Sequence, residues 1–172
     1  MNLKVIDNFL DEKTFIEIKN NILGSNFPWY YSLGADNIKD DVSQLCHVFY
    51  NIDVDNRVNS DYFRLLNPII KKLNAIGLVR IKANLTYPSK TVLKYHTDFN
   101  LKNLKTAIFY LNTNDGGTKI KNKIINSVEN RMLVMNNDIP HAVIRHTDTK
   151  TARVVLVLNY FEGTGDVDGK VL

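Results

Sequence analysis

Apolar residues recur at helical spacing in two stretches of the first 77 residues. In "DEKTFIEIKNNIL" Phe15, Ile18 and Ile22 share one face, acids fill the first turn, Asp11 is placed as N-cap and Gly24 follows the end. "SDYFRLLNPIIKKLNAIG" predicts a second helix over residues 60–77, with Ser60 or Asp61 as cap and a kink at Pro68. A short strand, "LKVIDNF", precedes the first helix, and "QLCHVFYN" reads as another. Between them "FPWYYSLG" gathers aromatics, including the only tryptophan, around a proline.

After Gly77 the period shortens to two. "LVRIKANLTY", "TVLKYHTD", "KTAIFYLN", "TKIK", "KIINS", "RMLVMNN", "HAVIRH" and "ARVVLVLNYF" are short β-type runs separated by Asn, Asp, Gly, Ser or Pro. Strands in such succession, with no helix between them, predict an antiparallel sandwich or jelly roll and not a βαβ fold. The expectation is a mainly β (α+β) fold in one domain over residues 1–172. It has helical support over about 1–77, with two N-terminal helices on an outer face, a jelly-roll core over about 78–161 and a tail at 162–172.

Composition changes this picture little. A hydrophobic content of 44% with 23% charged residues is ordinary for a soluble domain. The net charge of +4 comes with no dense Lys/Arg block, so it does not point to nucleic acid. Cys46 is the only cysteine, which excludes an intrachain disulfide and a cysteine-rich zinc site. The early charges of "MNLKVIDNFLDEKTF" argue against a signal peptide, and no apolar run approaches the ~20 residues of a membrane span. The expected location is cytoplasmic, with no membrane partner.

Candidate chemistry begins in "YHTDF". If that stretch is an extended strand, His96 and Asp98 point to one face and Thr97 to the other. His141 opens a later strand in "NDIPHAV". Two imidazoles and a carboxylate, the first pair close and the third distant, match the facial triad of non-haem Fe(II) oxygenases. In "TARVVLVLNYF" Arg153 shares a face with Val155 and Val157, so its guanidinium ends either in water at a sheet edge or buried with an anion. In "TAIFYLN" Tyr110 shares a face with Thr106 and Ile108. Lys150 competes with Arg153 for the anion-binding role, but sits in the turn "HTDTKT". His146 and Asp148 form another H-x-D, assigned to surface or turn, and His47 is assigned a structural role. Gly116 and Gly117 read as a turn needing positive φ.

With these pieces in order, residues 78–161 resemble the 2-oxoglutarate- and Fe(II)-dependent dioxygenases, specifically the prolyl 4-hydroxylase-like branch. The matching pieces are "TYP", "HTD", "AIFYLN" followed by "DGG", "PHAV" and the terminal "R…NYF". The resemblance implies a double-stranded β-helix (jelly roll). It implies His96, Asp98 and His141 as iron ligands, Arg153 on the C5 carboxylate of 2-oxoglutarate, Tyr110 near the same end and Tyr87 lining the co-substrate pocket. The implied cofactors are Fe(II), 2-oxoglutarate as co-substrate and O2, with ascorbate supportive. The implied reaction is hydroxylation of a C–H bond, and a carboxylate ligand at Asp98 favours this over halogenation.

The same resemblance suggests a prolyl residue in a peptide or protein as substrate. Another amino-acid side chain, a small molecule and an alkylated base are the alternatives. Trp29 and Tyr31 are candidate substrate-binding aromatics, and "FPWYYSLGADNIKDD" and "NNDIP" are candidate flanks of the pocket mouth. The rivals are a non-catalytic metal-binding jelly roll serving as an interaction protein, and a cupin-type isomerase or hydrolase. The sequence gives no indication of oligomeric state.

Overall fold

In the computed structural model, which describes residues 3–32, 43–55, 57–90 and 93–164, the alternating segments pair into two antiparallel sheets. The larger sheet runs from edge to edge through β1 (Leu3–Ile6), β8 (Arg131–Asn136), β5 (Leu104–Tyr110), β10 (Arg153–Glu162), β4 (Ala75–Thr86), β3 (Gln44–Asn51) and β2 (Tyr30–Ser32). The smaller sheet is β7 (Lys123–Asn126), β6 (Gly117–Ile120) and β9 (Ala142–Ile144). The architecture is mainly β and jelly-roll-like, as alternation predicts. No helix among the described residues is long and apolar enough to cross a membrane.

Strand alternation divides the apolar residues into two cores. On β10, Val154, Leu156, Leu158 and Tyr160 turn outward with Ala107, Phe109 and Leu111 from the β5 side. They are covered by Phe15, Ile18 and Ile22 of α1 (Glu12–Leu23) and by Leu66 and Ile69 further along the chain. Val155, Val157, Ile108, Tyr110, Leu133 and Met135 turn inward and meet Ile120 of the smaller sheet. The inner core surrounds the functional pocket; the outer one anchors the helices. Asp11 caps α1 as expected, accepting the Thr14 N–H at 3.0 Å.

The second helix differs from its predicted form. Asp61–Leu66 is a 3-10 helix, followed by α2 (Asn67–Lys72) with Pro68 in its first turn. Pro68 has no N–H to offer the Arg64 carbonyl, and the Asn67 N–H takes that acceptor in the tighter pattern. Asn74, in the left-handed region at φ 50°, then ends the helical path, and β4 starts at Ala75 inside the range expected to be helical.

"TVLKYHTD" is also not a strand; its first two residues, 91 and 92, lie outside the described residues. What forms instead is one antiparallel bridge, in which His96 and His141 each donate their N–H to the other's carbonyl at 2.9 Å. On one side the pairing stops because the Ile139 N–H, which the next rung would use, turns back to Asn136. Neither Gly116 nor Gly117 takes a positive φ. Glycine is required by close approach: a Cβ at Gly117 would lie 2.6 Å from the Ile125 carbonyl oxygen across the smaller sheet.

A distant pair of hydrogen bonds ties the first turn region to this framework. The buried Asn130 amide donates to the Leu10 carbonyl and accepts the Leu10 N–H, both at 2.9 Å, from a backbone at φ 58°. Asn130→Ala leaves both Leu10 groups unmatched and puts alanine in the left-handed region. The expected loss is about 2–4 kcal/mol, seen as a fall of roughly 5–15 °C in Tm by circular dichroism.

Candidate metal centre and pocket

His96, Asp98 and His141 converge from the bridge between two loop segments. One potential ligand atom from each lies within 4.8 Å of the others, and among the described residues this is the one such cluster of His, Cys, Asp or Glu. The two imidazole centroids are 4.5 Å apart, and His96 Nε2 is 3.8 Å from Asp98 Oδ1. His141 Nδ1 lies 3.2 Å from the Ile139 carbonyl, and His96 Nδ1 3.5 Å from that of Lys94. A ring nitrogen turned to the backbone in this way sets the tautomer and leaves Nε2 for a metal. The donor set, two neutral nitrogens and one carboxylate oxygen, suits Fe(II).

The carboxylate is held from behind. Asn159 Nδ2 donates to Asp98 Oδ2 at 2.7 Å, and Thr106 Oγ1 stands 3.4 Å from the same oxygen. Asn137 clamps the next residue, its amide donating to the Phe99 carbonyl and accepting the Phe99 N–H. Asp98 Oδ1 is left on the His96 side, with Arg80 Nη2 3.7 Å away. Orientation by partners outside the ligand set is what a metal-binding carboxylate needs.

Arg153 stands in the wall of the same pocket, which is partly open to solvent. It is 2% exposed, and no carboxylate among the described residues pairs with it. Its Nε donates to Ser127 Oγ at 3.1 Å and its Nη2 lies 3.4 Å from Thr118 Oγ1. Burial holds the guanidinium pKa below its ordinary value, with Tyr110 opposing that shift. An unneutralised buried cation in an open pocket calls for an anionic ligand.

The other expected residues fall in different places. Tyr110 is fully buried with its phenol pushed up by burial, and it stands behind the pocket wall. Its hydroxyl donates to Thr118 Oγ1 at 2.7 Å, and it is Thr118 that lines the pocket. Tyr87 is 47% exposed and outside the pocket lining. Trp29 packs edge-on against Phe27 at 5.0 Å on the outer core, and Tyr31 is 66% exposed on the edge strand β2. Lys150 is exposed, its N–H bonded to Asp148 in a turn. His146, assigned from sequence to surface or turn, is instead fully buried, with Nε2 2.8 Å from the Thr151 carbonyl. His47 sits on the outer face between the Pro28 carbonyl and Ser60 Oγ, each at 2.7 Å, and burial lowers its pKa. Of the candidate mouth segment at residues 27–41, residues 33–41 lie outside the described residues.

Residues that sequence reasoning missed complete the pocket. Gln44, Arg80, Lys82, Asn84 and Thr86 line it from β3 and β4. The signal was present in "RIKANLT" as polar residues at every second position, but such a face reads as solvent-exposed until the fold is known.

No family model matches the sequence, and no curated protein is significantly similar to it. Solved structures share its fold. An oxidoreductase of the 2OG-Fe(II) oxygenase family from Burkholderia pseudomallei superposes with a TM-score of 0.68 at 12% identity, covering 95% of this chain and 86% of that one. The non-haem α-ketoglutarate-dependent epimerase SnoN from nogalamycin biosynthesis, in complex with Fe3+, α-ketoglutarate and nogalamycin RO, gives 0.67 at 12%, covering 94% and 79%. A Trichoplax adhaerens prolyl hydroxylase, bound to a hypoxia-inducible-factor peptide fragment, gives 0.60 at 16%, covering 93% and 83%. At these identities the likeness establishes the fold, and the residues must carry the chemistry.

Proposed function

We propose that this chain is an Fe(II)- and 2-oxoglutarate-dependent dioxygenase that hydroxylates a substrate C–H bond. The observation that carries this reading is the joint occurrence, in one pocket, of a two-histidine, one-aspartate cluster and a buried guanidinium without a carboxylate partner among the described residues. His96, Asp98 and His141 would hold the metal, and Arg153 would receive the distal carboxylate of 2-oxoglutarate as a planar fork. Thr118 Oγ1 accepts from Tyr110 and faces Arg153, so its own proton is directed to a further acceptor at the same point. Bound iron with 2-oxoglutarate and O2 supplies oxygen insertion: one oxygen atom enters the C–H bond, the other enters succinate, and CO2 leaves. Ile108, Val155 and Val157 give the same pocket an apolar lining, which would limit water at the reacting centre.

The finer expectation is prolyl hydroxylation in a peptide or protein, supported by the fold shared with the peptide-bound prolyl hydroxylase. The fold shared with SnoN supports a small molecule equally. Ascorbate would act as a supporting reductant. The test is anaerobic titration of 2-oxoglutarate with and without Fe(II), followed by succinate release on admitting O2. Iron-dependent binding and slow succinate release without substrate are expected. Binding indifferent to iron would sink the reading and favour a non-catalytic jelly roll.

A further inference from the structure

The pocket has two unlike halves. Ile108, Val155 and Val157 form an apolar wall, whereas Arg80, Lys82, Asn84 and Thr86 present a polar face from β4. Strand β4 is paired on both sides, by β10 and β3, and this face lines the pocket opposite Thr118 and Val143 of the smaller sheet. Lining a barrel interior with polar side chains is costly unless a ligand completes their hydrogen bonds.

Two atoms of this face lack such completion. Among the described residues, Arg80 Nε is buried with no hydrogen-bond partner, and so is Asn84 Oδ1. Among the described residues Arg80 pairs with Asp98, at 3.7 Å, and its guanidinium lies over the Phe99 ring at 4.8 Å. The Arg80 side chain is 21% exposed, which leaves its edge reachable from the pocket mouth.

Charge sets the sign of the missing group. If the centre binds as proposed above, the metal dication and the 2-oxoglutarate dianion cancel, and Asp98 offsets one of the two guanidiniums, Arg80 and Arg153. Among the described residues one positive charge then remains on the β4 side. Asn84 Oδ1 additionally asks for an N–H or O–H. An interior prolyl residue supplies neither, because its nitrogen has no hydrogen and its carbonyl no charge.

Resting on the oxygenase reading, we infer that the substrate is a small organic acid whose carboxylate is held by Arg80 and Lys82 and whose neighbouring amine or hydroxyl donates to Asn84: an amino or hydroxy acid. A free acid and a chain-terminal residue share this chemistry, and the arms of the experiment separate them.

The experiment uses full-length protein loaded anaerobically with Mn(II) and 2-oxoglutarate. Calorimetry is run with amino acids including L-proline, their 2-hydroxy analogues, their methyl esters, and peptides carrying proline internally or at the C-terminus. The Fe(II) form is assayed in parallel for succinate release. At least one free acid should bind and stimulate release, and its methyl ester should bind about ten- to a hundredfold more weakly. Arg80→Gln should erase the acid-over-ester preference, Arg80→Lys should restore part of it, and Asn84→Leu should erase the preference for the donor-bearing acid over its deaminated analogue. Melting curves of each variant separate loss of recognition from loss of fold. Binding of the C-terminal prolyl peptide alone overturns the small-molecule assignment. Stimulation by internal-proline peptides with no response to any acid overturns the anion site and leaves the oxygenase reading standing. No iron-dependent handling of 2-oxoglutarate removes both.

Discussion

Arg153→Met should abolish measurable 2-oxoglutarate binding and leave the ligand-free protein at least as stable as the parent. Both halves follow from one fact: the guanidinium is buried, with hydroxyl partners and no carboxylate among the described residues. Burying a cation costs several kcal/mol, which neutral hydroxyls and the Tyr110 ring at 5.6 Å offset only in part. Methionine fills similar volume without that cost, so the apo Tm should hold or rise. The anion that completes the arginine in the parent would then lose its partner. Removing one member of a buried charge pair costs about 3–5 kcal/mol, equivalent to roughly a hundred- to a thousandfold or more in Kd. Metal affinity should change little. A variant that melts lower and loses metal and 2-oxoglutarate alike would mark Arg153 as a structural residue.

The face of Arg153 was legible in the sequence because alternation holds through Arg153, Val155 and Val157; a sheet-edge position stayed open until β4 and β5 were known to pair β10 on both sides. The same regularity made β3 legible to the residue. His96 and Asp98 were found through a strand that does not exist; a single bridge to His141 brings them together instead. Their supports were hidden because nothing local links Asp98 to Asn159, 61 residues away, or to Asn137 acting through Phe99. Tyr110 was placed on the correct face, but depth is not written in period-two patterning, and Thr118 stands between it and the pocket. The polar face of β4 was passed over for the converse reason. Arg80, Lys82, Asn84 and Thr86 look like a solvated edge until β10 and β3 are known to flank the strand and the smaller sheet to cover it. Trp29 and Tyr31 were drawn toward a substrate role by composition alone, and packing sends one to the outer core and the other to the sheet edge.

Asp98→Asn tests the metal centre more sharply than truncation does, because shape is kept and only the donor pattern changes. Oδ2 of the native carboxylate accepts from Asn159 Nδ2 and faces Thr106, while Oδ1 is turned to His96 and Arg80. An asparagine must choose. With its oxygen toward Asn159, its NH2 points at the metal position and at the Arg80 guanidinium, with no lone pair for the one and no charge for the other. With the amide reversed, two buried NH2 groups confront each other at Asn159, at a cost of about 1–3 kcal/mol. In the first orientation the ligand set falls to two imidazoles; in the second a neutral amide oxygen replaces the charged carboxylate as a weaker ligand. The parent, at metal a hundredfold above Kd, should gain about 2.7 kcal/mol and roughly 5–10 °C in Tm from Fe(II) or Mn(II). The variant should gain nothing measurable, with calorimetry showing metal binding weakened by at least about a hundredfold. Retention of metal affinity within threefold would show that the cluster is not the metal site, and the unpaired Arg153 would then need a different anion.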